Sequence, residues 1–242
     1  MPQSKAAAVA PKPAHEVEVK LRVADLAAIK RKLGKLGAKS VQRAASGKDG
    51  RVHEMNTLFD TPQGGLARHG QLVRIRVESP AGSAKGERSA VLTYKGPAEA
   101  NGGQASGLGP GKYKVREEIE AGVGDAESLR RILEALGLRG WFKYEKYRTT
   151  FTLPTTKKWA AGLLIELDET PIGSFIELEG PPAAIDQAAR ELGYSHSDYI
   201  TKNYLLLHIE QCQRDGRMAS RPAPGAVAGI PNMLFQTEKK SS

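Results

Sequence analysis

Charged and apolar residues alternate along eight short segments of this chain, and that alternation admits only strands with one charged and one apolar face. In Glu16-Val17-Glu18-Val19-Lys20, an extended backbone sends Glu16, Glu18 and Lys20 to one side and Val17, Val19 and Leu21 to the other. The expected strands cover 15–23, 55–60, 71–78, 89–95, 113–121, 143–152, 162–168 and 174–180. Their charged faces carry Arg74, Arg76 and Glu78; Thr93 and Lys95; Lys114, Arg116, Glu118 and Glu120; Lys146 and Arg148; Glu166 and Asp168; Glu177 and Glu179. An ordinary sandwich with wet outer faces accounts for any single strand. It does not account for the repetition, because like charges two apart on one face, met by more on the next strand, repel unless counter-ions are bound. A barrel with its apolar faces outward under helices and its charged faces lining the lumen resolves this.

The covering helices are legible too. In 25–36, Asp25 is placed to cap, Leu26, Ile29, Leu33 and Leu36 form a stripe, and Gly37 ends the run. Residues 125–136 repeat the design with Asp125, Leu129, Ile132, Leu133, Leu136 and Gly137. Further helices are expected over 183–192 and, starting at Ser197 or Asp198, over 197–212. The fold class is therefore α+β, an eight-stranded antiparallel β-barrel with helices packed on its outside. Residues 15–210 read as one domain, with a disordered tail at 1–14, a flexible tail at 211–242 and a long Gly-rich loop at 97–112.

The net charge of +9 suggests a nucleic-acid partner until it is located. Residues 1–14 carry +2 and residues 211–242 carry +3, leaving +4 on the long body between them. With 6% aromatic residues there is little to stack bases on, so no specific nucleic acid is expected. No run of about 18 apolar residues exists, which argues against a membrane-spanning helix. Cys212 is the sole cysteine, so an intrachain disulfide is excluded and a reducing, cytoplasmic compartment fits. The five histidines share no ligand spacing, Trp141 and Trp159 read as packing residues, and Gly64-Gly65 reads as a turn.

A lumen lined by both signs of charge suits a polyphosphate. Arg and Lys neutralise it, and carboxylates hold the divalent metal that bridges its oxygens. Phosphoryl transfer then requires positioning and charge neutralisation rather than a Ser or Cys nucleophile.

In order along 15–205, the motifs resemble the CYTH superfamily, the triphosphate tunnel metalloenzymes. The residues that carry the resemblance are Glu16-x-Glu18-x-Lys20, Phe59-Asp60-Thr61-Pro62, Leu72-Val73-Arg74-Ile75-Arg76, Leu92-Thr93-Tyr94-Lys95-Gly96 and Arg116-Glu117-Glu118-Ile119-Glu120. Tyr144-Glu145-Lys146-Tyr147-Arg148, Leu167-Asp168 and Gly173–Gly180 follow. The resemblance implies that Lys20, Arg74, Arg76, Lys95, Arg116, Arg148 and Lys202 bind a triphosphate, with Lys20, Glu118 and Arg148 acting in catalysis. It implies that Glu16, Glu18, Glu120, Asp168, Glu177 and Glu179 hold Mg²⁺ or Mn²⁺. Thr201-Lys202-Asn203-Tyr204 departs from the Ser-Tyr pair that similar chains carry there.

Three functions compete on the sequence. The first is a class IV adenylate-cyclase-like enzyme converting ATP to cyclic AMP and pyrophosphate, to which the blocks around Lys95, Arg148 and Gly173–Gly180 are most similar. The second is a hydrolase of tripolyphosphate, thiamine triphosphate or a nucleoside triphosphate. The third is a non-catalytic barrel that binds polyanions such as RNA. The expected partner is a triphosphate-containing small molecule, and a homodimer is compatible with this reading.

Overall fold

The structure is a computed structural model that describes residues 15–43, 45–47, 49–82, 88–98, 112–218 and 229–236. The expected N-terminal tail, and nearly all of the expected Gly-rich loop, lie outside the described residues. Nine strands form one antiparallel sheet: β1 (His15–Val23), β2 (Lys39–Ser40), β3 (Arg51–Asp60), β4 (Leu72–Pro80), β5 (Ser89–Lys95), β6 (Lys114–Val123), β7 (Arg139–Thr152), β8 (Leu164–Thr170) and β9 (Gly173–Glu179). Their order is β2-β7-β3-β4-β5-β6-β1-β9-β8, and β8 pairs back onto β7, so eight strands close on themselves and β2 is an appendage. Closure removes the free sheet edges and leaves an inside and an outside. All eight expected strands are present. The two-residue β2 and the short helix α2 (Gly65–Arg68) were not anticipated.

Apolar faces point outward, as the alternation requires. Val19 and Leu21 of β1, Ile165 and Leu167 of β8, and Ile176 and Leu178 of β9 pack beneath α1 (Leu26–Lys35) and α4 (Pro182–Glu191), against Ile29, Leu33, Ile185 and Ala188. Each such buried side chain contributes about 2 kcal/mol by leaving water. Helix α3 (Ala126–Ala135) sets Leu133 on Phe59 and Ile75 over another arc of the wall. Asp25 and Asp125 cap α1 and α3 by accepting the Ala28 and Glu127 amide N–H groups at 2.9 and 3.0 Å. Gly37 and Gly137 end them with φ of 74° and 89°. Asp60 serves the scaffold: its carboxylate accepts the N–H groups of Thr61, Leu66 and Ala67 and so pins α2.

The last helix begins later than expected. Ser195 and Asp198 do form a capping box, but on a single 3-10 turn, His196–Asp198. Ile200 then exchanges two backbone hydrogen bonds with Lys20, both 2.9 Å, which keeps the chain extended. Helix α5 (Tyr204–Arg214) starts only where the Asn203 side chain accepts the Leu206 N–H. It lies across the barrel end where β3 finishes and β9 starts, with Tyr204, Leu207 and Ile209 against Leu58, Phe142, Tyr144 and Phe175. The other end of the barrel, where β7 and β9 finish, is the mouth.

The expected flexible tail from 211 also needs correction. Helix α5 runs on to Arg214, and Ile230 and Met233 are buried in the same apolar cluster. An apolar Ile-Pro-Asn-Met-Leu-Phe run inside a Pro/Gly-rich stretch can dock where that composition alone implies none.

Candidate functional site

The inward faces enclose a cavity of about 1610 Å³ along whose wall cations outnumber carboxylates. Of the residues expected in the site, Glu16, Glu18 and Lys20 on β1, Arg74 and Arg76 on β4, Lys95 on β5, and Arg116, Glu118 and Glu120 on β6 line it. So do Arg148 on β7 and Glu177 and Glu179 on β9. Two do not. Lys202 precedes the α5 N-cap and turns outward to donate to Glu210 at 2.6 Å, so it stands apart from the other cations. Asp168 is on the inward face of β8 but 0% exposed and outside the cavity lining, because Lys146, Arg148 and the Tyr204 hydroxyl cover it, donating at 2.6–2.8 Å.

Strand register pairs opposite signs across most of the lumen. Lys20 faces Glu177 and Arg148 faces Asp168, while Glu16 lies across from Arg116. Where like charges meet, as Glu166 faces Glu177 between β8 and β9, Arg148 bridges them. Arg148 also lies 3.7 Å from Glu54, so one guanidinium serves four carboxylates. Glu54 is itself fully buried among Arg76, Lys146 and Arg148, which hold its carboxyl far below the usual range despite burial. Burial likewise works against Glu18 and Glu177, yet Lys114 and Lys20 keep the first ionised and Lys20 and Arg148 the second.

Sequence reasoning left several of these partners unassigned. Glu54 and Asn56 share the inner face of β3 with Val52 and Leu58, so the apolar residues there do not mark the outer face. Lys114, Lys146 and Glu166 stood on charged faces without a role. Lys114 pairs with Glu18, and burial beside Lys20 and Arg116 pushes its ammonium down to about 8.

One cation breaks the pairing. Arg116 is 7% exposed and lines the cavity, but among the described residues no hydrogen bond or ion pair reaches its guanidinium, and its Nε is buried without a partner. Arg74 donates to the Tyr144 hydroxyl at 3.2 Å and to Thr93 Oγ1 at 3.1 Å, and its Nε is also unmatched. Leaving a charged donor buried and unmatched is costly, so the arrangement is complementary to an anion that enters the tunnel.

The carboxylates fit a divalent metal by donor type, in pairs rather than as a preformed cage. No group of three His, Cys, Asp or Glu is arranged to hold a metal among the described residues. Burial, then crowding by Glu18 and Glu118, raises the Glu16 carboxyl; burial, then Glu177 and Asp168, raises that of Glu166 against the pull of Arg148. Two crowded carboxylate pairs, Glu16 with Glu118 and Glu166 with Glu177, are what a hard cation relieves. Mg²⁺ ordinarily takes one or two protein carboxylates and completes its shell with water and phosphate oxygens. Asp168 does not fit this role, since its lone pairs are already committed.

A sequence profile of the CYTH domain matches residues 14–204. Among solved structures, a protein from Pyrococcus horikoshii superposes with a TM-score of 0.60 at 24% identity, over 81% of this chain and 99% of its own. A candidate adenylate cyclase from Vibrio parahaemolyticus gives 0.58 at 20%, over 78% and 94%. A second Pyrococcus horikoshii protein gives 0.55 at 23%, over 78% and 96%. These likenesses bear on the fold. No curated protein matches the sequence.

Two outcomes follow from the electrostatics. Arg148→Ala strands four buried carboxylates and is expected to cost about 3–5 kcal/mol in urea unfolding, whereas Arg116→Ala removes an unpaired charge and should stay within about 1 kcal/mol of wild type. Equal losses would contradict the assignment of partners. In carbon-detected NMR the Lys114 side chain should titrate near 8 in the ligand-free protein and move upward when tripolyphosphate is added, because a bound anion favours the ammonium. Titration near the free-lysine value would contradict the crowding of cations around it.

Proposed function

The chain belongs to the CYTH domain family, and on that premise we propose that it is a divalent-metal-dependent enzyme acting on a triphosphate substrate, ATP being converted to cyclic AMP and pyrophosphate. The observation that carries the triphosphate reading is Arg116, a buried guanidinium facing the lumen that makes no ion pair or hydrogen bond among the described residues, backed by Arg74, Lys95 and Lys20. The preference for an organic triphosphate is supported by the mouth. Leu153, Pro154, Ala160, Pro181 and Pro182 line the cavity there beside Arg43, Lys157 and Lys158. Apolar walls beyond a cationic interior suit a nucleoside attached to a phosphate chain.

In this reading Arg74, Arg76, Lys95 and Arg116 bind the phosphate oxygens, and Lys20 and Arg148, each held by lumen carboxylates, fix the orientation of the chain. The ribose 3′-oxygen attacks the α-phosphorus, the bond from that phosphorus to the bridging oxygen breaks, and pyrophosphate leaves. Glu118, crowded beside Glu16, takes the hydroxyl proton. Mg²⁺ or Mn²⁺ would be held at the crowded carboxylates, by Glu16 or by Glu166 with Glu177, with Glu18, Glu120 and Glu179 nearby, and would supply neutralisation of charge building on the phosphate oxygens. Water exclusion favours the internal hydroxyl over hydrolysis, and the stopper formed by Tyr204 and α5 contributes to it.

The test is product identity. Purified protein incubated with ATP and Mg²⁺ or Mn²⁺ should release cyclic AMP and pyrophosphate in equal amounts, with loss of turnover in Glu18→Gln and Arg76→Ala. Orthophosphate without cyclic AMP assigns the tunnel to triphosphate hydrolysis instead. Inertness toward ATP, tripolyphosphate and thiamine triphosphate, with either metal, would overturn the enzymatic reading.

A further inference from the structure

We infer that the segment Ile230–Phe235 is a strap that fixes α5 across the closed end of the barrel, making Tyr204 a positioning residue for the lumen cations, a role that rests on the tunnel being the substrate site. Strand β7 is incompletely paired. On one side β7 pairs with β3 along Arg139–Thr149, but on the other it meets β8 only from Tyr147 to Phe151. That leaves the backbone at Lys143–Glu145 without a strand partner on that side.

The strap fills this edge. Met233 N–H donates to Lys143 O at 2.9 Å, Glu145 N–H donates to Met233 O at 3.0 Å, and Lys143 N–H donates to the Asn232 side chain at 2.8 Å. Its far end is held too, where the Phe235 amide donates to Glu145 and the Phe235 ring lies 5.2 Å from that of Tyr147. The same segment grips α5. His208 Nε2 donates to Pro231 O at 2.8 Å, and Met233, 1% exposed, packs among Phe142, Phe175, Leu207 and Ile209. One short segment therefore ties a helix to a strand of the barrel wall.

What the helix presents to the lumen is Tyr204. Its hydroxyl donates to Asp168 Oδ2 at 2.6 Å, the oxygen that also accepts from Lys146 and Arg148. Its ring lies 5.4 Å from Lys20 Nζ and 5.1 Å from Lys146 Nζ, within reach of a cation–π attraction. Release of the strap lets α5 move, and the tyrosine is then lost at once from Asp168 and from two buried cations, Lys20 and Lys146. The strap governs the phosphate site without touching it.

The test uses full-length protein, with tripolyphosphate binding measured by calorimetry in the absence of metal and amide exchange followed by mass spectrometry. Met233→Asp should speed exchange in α5 while β1 and β9 stay protected, and should weaken tripolyphosphate about tenfold, the worth of one charge-assisted hydrogen bond. Tyr204→Phe should reproduce the weaker binding with α5 still protected. Asn232→Ala, which removes a single strap bond, should shift both readouts in the same direction to a smaller extent and decides the matter if Met233→Asp unfolds the barrel. Unchanged α5 protection in both strap variants, or unchanged affinity once α5 is released, overturns the inference. Failure of the wild-type protein to bind tripolyphosphate overturns the proposed function instead, and the exchange data then judge the strap alone.

Discussion

Arg148 and the four carboxylates around it are the interaction on which the interior depends. A barrel whose lumen is lined by charge must neutralise itself, because an isolated charge out of water is very unfavourable. Glu166 and Glu177 face each other across β8 and β9, and Asp168 and Glu54 lie nearby. A single planar guanidinium with five donors reaches all of them, which a lysine could not. The outer shell then has only ordinary work to do: Val19, Leu21, Ile165 and Ile176 turn outward and α1 and α4 cover them. Fold and site share one pattern, the alternation of charged and apolar residues along each strand.

Neutralisation inside the barrel is incomplete. The carboxylates mostly have cations beside them, whereas Arg116 makes no ion pair among the described residues and Lys114 holds its proton weakly among neighbouring cations. A lumen that is locally over-supplied with positive charge is poised for an anion. Its crowded carboxylate pairs are poised for a metal that arrives with that anion. On the proposed function, substrate and metal would complete the electrostatics that the chain leaves open, while α5 covers one end of the barrel.

Much of this was legible in the sequence, for a physical reason. Glu16-Val17-Glu18-Val19-Lys20 reads correctly because a period of two survives any tertiary context that keeps the segment a strand. Glu54 escaped notice because the expected strand began only at 55, whereas β3 starts at Arg51, and Val52 and Leu58 on the same face hid the inward direction. Lys202 was misplaced because its direction depends on where α5 begins, and that is set by the distant backbone pairing of Ile200 with Lys20. Asp168 sits on the expected face but is consumed by neighbours on β7 and α5, which no spacing along β8 reveals. The strap was missed because a Pro/Gly-rich composition outweighed one short apolar run.

The proposed function requires that the lumen bind a triphosphate through Arg116 and its neighbouring cations, with a divalent metal at the crowded carboxylates. Crystals grown with tripolyphosphate and Mn²⁺, measured for anomalous scattering, test it most directly. The account predicts phosphate density within hydrogen-bonding distance of the Arg116 guanidinium and an anomalous peak beside Glu16 and Glu118 or Glu166 and Glu177. Phosphate bound only on the outer surface, or an empty lumen at saturating ligand, would contradict it.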